Sequence, residues 1–115
     1  MMPERVRRYV AMIGEICARH GIEPLITLTS LSDRCFDSSV PLLFDRRDAD
    51  ATARAQACYW ALLEAGREAG FLPYRIGVQA MDWLVRPGSP YWDLVGAVKS
   101  AIDPHGILSP GRYGP

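Results

Sequence analysis

"LITLTSL" (residues 25–31) alternates aliphatic side chains with Thr or Ser, the period-two pattern of a strand, and its reading separates a mixed chain from an all-helical one. After a polar stretch, "SSVPLLF" (38–44) reads as a second strand. Pro41 confines it to an edge or a bulge, because proline cannot donate to a ladder. Upstream, Pro3 suits a first helical turn, and Val6, Tyr9 or Val10, Ile13 and Cys17 recur at three-to-four spacing until Gly21 offers a C-cap. The spacing predicts an amphipathic helix over 3–20. Downstream, "DADATARAQACYWALLEAGREAG" (48–70) opens with Asp candidates for an N-cap, is rich in Ala and Leu, and ends at a glycine. One face of this second helix carries Ala51, Ala55, Cys58, Tyr59, Leu62 and Ala69.

"FLPYRIGV" (71–78) reads as a short strand or extended segment interrupted by Pro73, and Ser89 and Pro90 start a further helix with an apolar stripe of Tyr91, Val95, Val98 and Ile102. The order helix, strand, strand, helix, strand, helix predicts an α+β fold, an antiparallel sheet with helices packed on one face. A helical, turn-rich C-terminal segment follows. Asp103, Pro104, His105 and Gly106 suit a type I turn, Ile107 and Leu108 form an apolar pair, and Ser109, Pro110 and Gly111 make a second break. Termini usually fray, so a tail this dense in turn residues reads as built to dock.

With 115 residues, 49% hydrophobic and 23% charged, the chain fits one small core. Thirteen basic and thirteen acidic residues give no net charge, which argues against nucleic-acid binding. Arg5, Arg7 and Arg8 form a basic cluster read as a solvated helix face. Cys17, Cys35 and Cys58 form no CxxC pair, signal neither a disulfide framework nor a zinc site, and read as buried or inert thiols; no metal is expected. The first twenty residues have no uninterrupted apolar core, so neither a signal peptide nor a membrane span is expected, and the location read from this is cytoplasmic.

No dinucleotide fingerprint, P-loop or nucleophile elbow is present. His20 reads as a helix C-terminal cap and His105 as a solvent-facing turn residue. Tyr74 and Arg75 are more informative. Adjacent residues on an extended segment point to opposite faces, so these two serve one anionic centre only if the backbone twists between them. On composition alone Arg75 also reads as a structural arginine bonded to carbonyls or carboxylates, and Arg112, between Gly111 and Tyr113, as an exposed tail charge by default and an anion ligand if the tail docks.

Three stretches in one order carry a resemblance. "VKSAIDPHGILSPGRYGP" (98–115) resembles the C-terminal signature of flavin-linked oxidases. "GFLPYRIGVQAMDWL" (70–84), with its central Tyr-Arg, and "LLFDRRD" (42–48), followed by a long helix, are similar to the vanillyl-alcohol oxidase and 4-cresol dehydrogenase branch of that family.

The resemblance implies that residues 3–72 are the second half of a cap, or substrate, domain, and that 73–115 return to an FAD-binding domain outside this chain. It implies FAD as cofactor and oxidation of a phenolic substrate, a 4-alkylphenol or benzylic alcohol, by hydride transfer. Tyr74 and Arg75 are implied as catalytic residues, Tyr74, Arg75 and Arg112 as substrate ligands, and Arg75 as a neighbour of the flavin. The implied partner is a flavin-binding domain or subunit, with room for a homo-oligomer, and the chain alone is expected to be inactive and N-terminally incomplete. The rival expectation is a non-catalytic α+β module that docks on a partner through its tail.

Overall fold

Schellman motifs close the two long helices, and both can be traced to single glycines. In the computed structural model, which describes residues 3–33, 35–86 and 88–113, helix α1 spans Pro3–Arg19 and helix α2 spans Ala49–Glu68. At the end of α2 the Phe71 amide donates to Gly66 O (2.7 Å) and the Gly70 amide to Arg67 O (3.1 Å). Gly70 has φ +75°, a left-handed conformation that a Cβ would strain. Gly21, also left-handed, ends α1 in the same way, with the Ile22 amide on Cys17 O at 2.9 Å. The other end of α2 is held by Asp48, whose Oδ1 accepts from the amides of Asp50 (2.8 Å) and Ala51 (3.1 Å), two donors that no helical carbonyl can reach.

The chain divides into two units, Met1–Leu72 and Pro73–Pro115. In the first, α1 and α2 pack through Ile13, Ile16, Cys17, Ala55 and Cys58, with Ile22 completing the cluster. Tyr9 rather than Val10 joins this face, its ring edge-on to Phe71 with centroids 5.1 Å apart. Ile16 and Leu63, absent from the predicted faces, are buried as well. Arg5, Arg7 and Arg8 are all exposed, as the solvated-face reading expects, but Arg5 does more than face water: its Nη2 donates to Gly70 O at 2.8 Å and its guanidinium lies 5.2 Å from the centre of the Phe71 ring, tying the start of α1 to the end of α2.

The fold is α+β, and its sheet is one antiparallel hairpin, β1 (Thr27–Ser32) against β2 (Cys35–Ser39), paired from Thr27↔Ser39 to Ser32↔Cys35 with a bulge between Ser30 and Ser32. The second strand therefore lies earlier than the 38–44 reading. The register ends opposite Thr27, and Pro41 beyond it has no amide to extend the ladder. Every residue of β1 is exposed; the hairpin joins the core at its base, through Ile26, Val40 and Leu42.

Of the two readings of 71–78, strand or extended segment, no strand forms. Pro73 interrupts the stretch, a bend occupies Tyr74 and Arg75, and a 3-10 turn (Val78–Ala80) leads directly into the short helix α3 (Met81–Leu84). Helix α4 (Pro90–Ile102) follows, with Pro90 in its first turn and none of its residues buried.

Candidate functional site

The tail is organised by Asp103, the charged residue that is buried to 6% exposure at the end of α4. The Gly106 amide closes the predicted turn on Asp103 O at 3.1 Å. The carboxylate then accepts from the amides of Ile107 (Oδ1, 3.0 Å) and Leu108 (Oδ2, 2.9 Å) and pairs with Lys99, which also donates to Leu108 O at 2.6 Å. Lys99 first, and then the Leu108 amide, hold the Asp103 carboxyl below the usual carboxylate range. These bonds turn the chain back after α4 while the apolar pair stays outside, Ile107 at 74% exposure and Leu108 also exposed. Trp83 and Trp92, in the same unit, are half-buried.

A second turn follows, closed by the Arg112 amide on Ser109 O at 3.1 Å around Pro110 and Gly111. Ser109 (φ +46°) and Tyr113 (φ +48°) both take left-handed backbone without being glycine. Gly114 and Pro115, the end of the tail motif, lie outside the described residues, as does Arg34.

Tyr74 and Arg75 do not point to opposite faces. The bend brings the Arg75 guanidinium to 5.9 Å from the centre of the Tyr74 ring, near the outer limit of a cation–π contact, and both side chains are exposed, Tyr74 to 70%. The next residue, Ile76, is buried, and its amide donates to the Tyr113 hydroxyl at 3.4 Å. Arg112, itself exposed, immediately precedes Tyr113. One hydrogen bond thus ties the neighbours of Arg75 and Arg112 together. Tyr113 had no part in the sequence reading beyond flanking Arg112. Its only sequence signal is the aromatic after Pro-Gly-Arg, because its partner lies 37 residues away.

Residues 2–113 match the model of the family described as FAD linked oxidases, C-terminal domain. The chain belongs to this family. Among curated relatives of this FAD-linked oxidase domain is the 1'-carboxy-chondrochloren decarboxylase of Chondromyces crocatus, 38% identical over 102 residues, which cover 89% of this chain and 19% of the relative. The 4-cresol dehydrogenase [hydroxylating] flavoprotein subunit of Pseudomonas putida is 28% identical over 109 residues, 94% of this chain and 21% of the relative. The chain spans about a fifth of the length of these relatives. No solved structure matches it.

FAD use is a property of the family, and the N-terminus of α2 does not suit the pyrophosphate of that cofactor. A pyrophosphate is commonly cradled by free amides at a helix N-terminus. At α2 the Asp48 carboxylate occupies the amides of Asp50 and Ala51 and would repel a phosphate. No group of three or more His, Cys, Asp or Glu able to hold a metal occurs among the described residues, and no described helix is long and apolar enough to cross a membrane.

The cysteines separate into two kinds. Cys17 and Cys58 are fully buried with sulfurs 3.9 Å apart, and burial, reinforced by Cys17, pushes the Cys58 thiol up to about 11. Cys35 is exposed, so of the two alternatives, buried or inert, burial does not hold for this one thiol. On β2, Ser38 Oγ is buried without a hydrogen-bond partner among the described residues.

Proposed function

We propose that this chain is the substrate-side part of an FAD-dependent oxidoreductase that oxidises a phenolic substrate, with Tyr74, Arg75 and Arg112 receiving the phenolate oxygen. The observation that carries the reading is the bend that puts the Tyr74 phenol and the Arg75 guanidinium on one side, in a chain of this family. FAD, held by a flavin-binding domain or subunit outside this chain, would supply the acceptor for the hydride leaving the benzylic carbon. The residues of this chain lower the barrier by charge. As hydride departs, the phenolate electrons flow into the ring toward a quinone methide, and charge-assisted bonds from two guanidiniums and a phenol keep the substrate ionised beforehand. Arginine suits this because it stays protonated at physiological pH and presents a planar fork.

The 38% identity to a protein named as a carboxy-chondrochloren decarboxylase supports a second reading, in which the anion received is a carboxylate. A guanidinium binds that group with two parallel bonds. Both readings are tested by co-purifying the chain with a flavin-binding domain of the family and following flavin bleaching by a 4-alkylphenol and by its carboxylated analogue. Bleaching by the alkylphenol that falls about tenfold to a hundredfold in Arg75→Lys and Arg112→Ala supports the phenolic reading, as expected for losing one charge-assisted bond. Bleaching by the carboxylated compound alone selects the second. A complex that never carries flavin favours the non-catalytic docking module.

A further inference from the structure

Two guanidiniums and a phenol make a site only if something holds them in register, and Tyr74, Arg75 and Arg112 all sit on segments without helix or strand. The Ile76 amide bond to the Tyr113 hydroxyl is the contact between those segments: Ile76 adjoins Arg75, and Tyr113 adjoins Arg112. Ile76 is buried, so its amide needs an acceptor, and the Tyr113 oxygen supplies one. A tyrosine hydroxyl that accepts from an amide keeps its own proton for a further acceptor. Tyr113 also holds a left-handed backbone that a ring-bearing residue rarely adopts, the kind of local strain that persists where the surroundings enforce it.

We propose that Tyr113 is a positioning residue for the anion site, accepting the Ile76 amide hydrogen bond and thereby setting Arg112 with the Tyr74–Arg75 pair. This rests on the anion-binding reading above. Phenylalanine keeps the ring and its packing and removes the acceptor, so Tyr113→Phe separates the hydrogen bond from the bulk of the side chain.

The test is a titration of the 115-residue chain with 4-nitrophenol, whose ionisation is read from its absorbance, across pH, for the wild type, Arg75→Gln and Tyr113→Phe. The wild type is expected to bind the probe and make it ionise at lower pH than free in solution, and Arg75→Gln to remove that shift. Tyr113→Phe should weaken binding about threefold to tenfold, the worth of one neutral hydrogen bond, and reduce the shift. Its helical unfolding midpoint should stay unchanged while the Ile76 amide exchanges faster with solvent. A Tyr113→Phe chain that shifts the probe as the wild type does overturns the positioning role and leaves the anion site standing. Loss of the shift together with a lowered midpoint makes Tyr113 a general structural residue and overturns the role as well. A wild type that leaves the probe's ionisation as in free solution overturns the anion site itself, and Tyr113's part with it.

Discussion

The two units hold themselves together by different physics. In Met1–Leu72 the side chains of α1 and α2 exclude water from one another, and Ile13, Cys17 and Cys58 are at most 1% exposed. Among the described residues of Pro73–Pro115 the buried apolar ones are Ile76, Ala80 and Met81, α4 buries none, and the tail is shaped by the hydrogen bonds of Asp103, Lys99, Ser109 and Tyr113. Burial sums over many contacts and tolerates the loss of one bond; a polar latch concentrates its effect in a few groups. The difference teaches that the first unit has the means to set its own stability, whereas the second has a defined backbone path and apolar faces left open.

Removing bulk from the first unit should break the contrast most visibly. Ile13→Ala deletes a fully buried side chain between two helices and should cost about 2 to 5 kcal/mol in urea unfolding. A loss below about 1 kcal/mol would mean that the α1–α2 contact is not the main core.

Thiol chemistry sharpens the same contrast. With the Cys58 thiol pushed up to about 11 by burial and by Cys17, its thiolate fraction near pH 8 is roughly a hundredfold below that of an ordinary exposed cysteine. Under native conditions a disulfide reagent should therefore modify Cys58 at least about a hundredfold more slowly than the exposed Cys35, Cys17 should be shielded by its full burial, and all three should react at one rate in denaturant. Equal native rates would refute the buried pair.

A smaller effect belongs to the α2 cap. Asp48→Ala strands the amides of Asp50 and Ala51 and should cost about 1 kcal/mol, read as a lower thermal midpoint.

In the second unit the latch should respond to pH without moving the first. A carboxyl held low in the folded chain adds stability above its unfolded value, about 3.9, and loses it as pH falls through the folded value. The amide resonances of Ile107 and Leu108 should accordingly stay constant from neutral pH down to about pH 4 and move only below it, and Asp103→Asn should shift them at neutral pH while the Ile13 environment is unaffected. Unchanged resonances in both experiments would remove Asp103 from its organising place.

The smallest effect is expected on the open face of α4, where Leu94→Ser should change the stability of the isolated chain by less than about 0.5 kcal/mol. A larger loss would show that this face is covered.

Local signals were legible throughout. Glycine after an amphipathic run, Asp before an Ala-rich one, Asp-Pro-His-Gly and Pro-Gly each determined a cap or a turn, because the hydrogen bonds involved span five residues or fewer. The three motifs that resemble the flavin-linked oxidases were equally local, and the family followed from them.

What only the tertiary structure decided lies at long range. The choice of Tyr9 over Val10 depended on Phe71, and Arg5, while still exposed, found the Gly70 carbonyl 65 residues away. The second strand moved to Cys35–Ser39 because pairing with β1, not its own pattern, sets where a ladder stops. Residues 71–78, apolar enough for a strand, found no pairing partner and bent at Tyr74–Arg75, and Tyr113 met Ile76 across 37 residues. Such contacts leave little trace in a linear pattern, since each is made by two segments whose sequences are individually compatible with several partners and is settled only when the chain closes on itself.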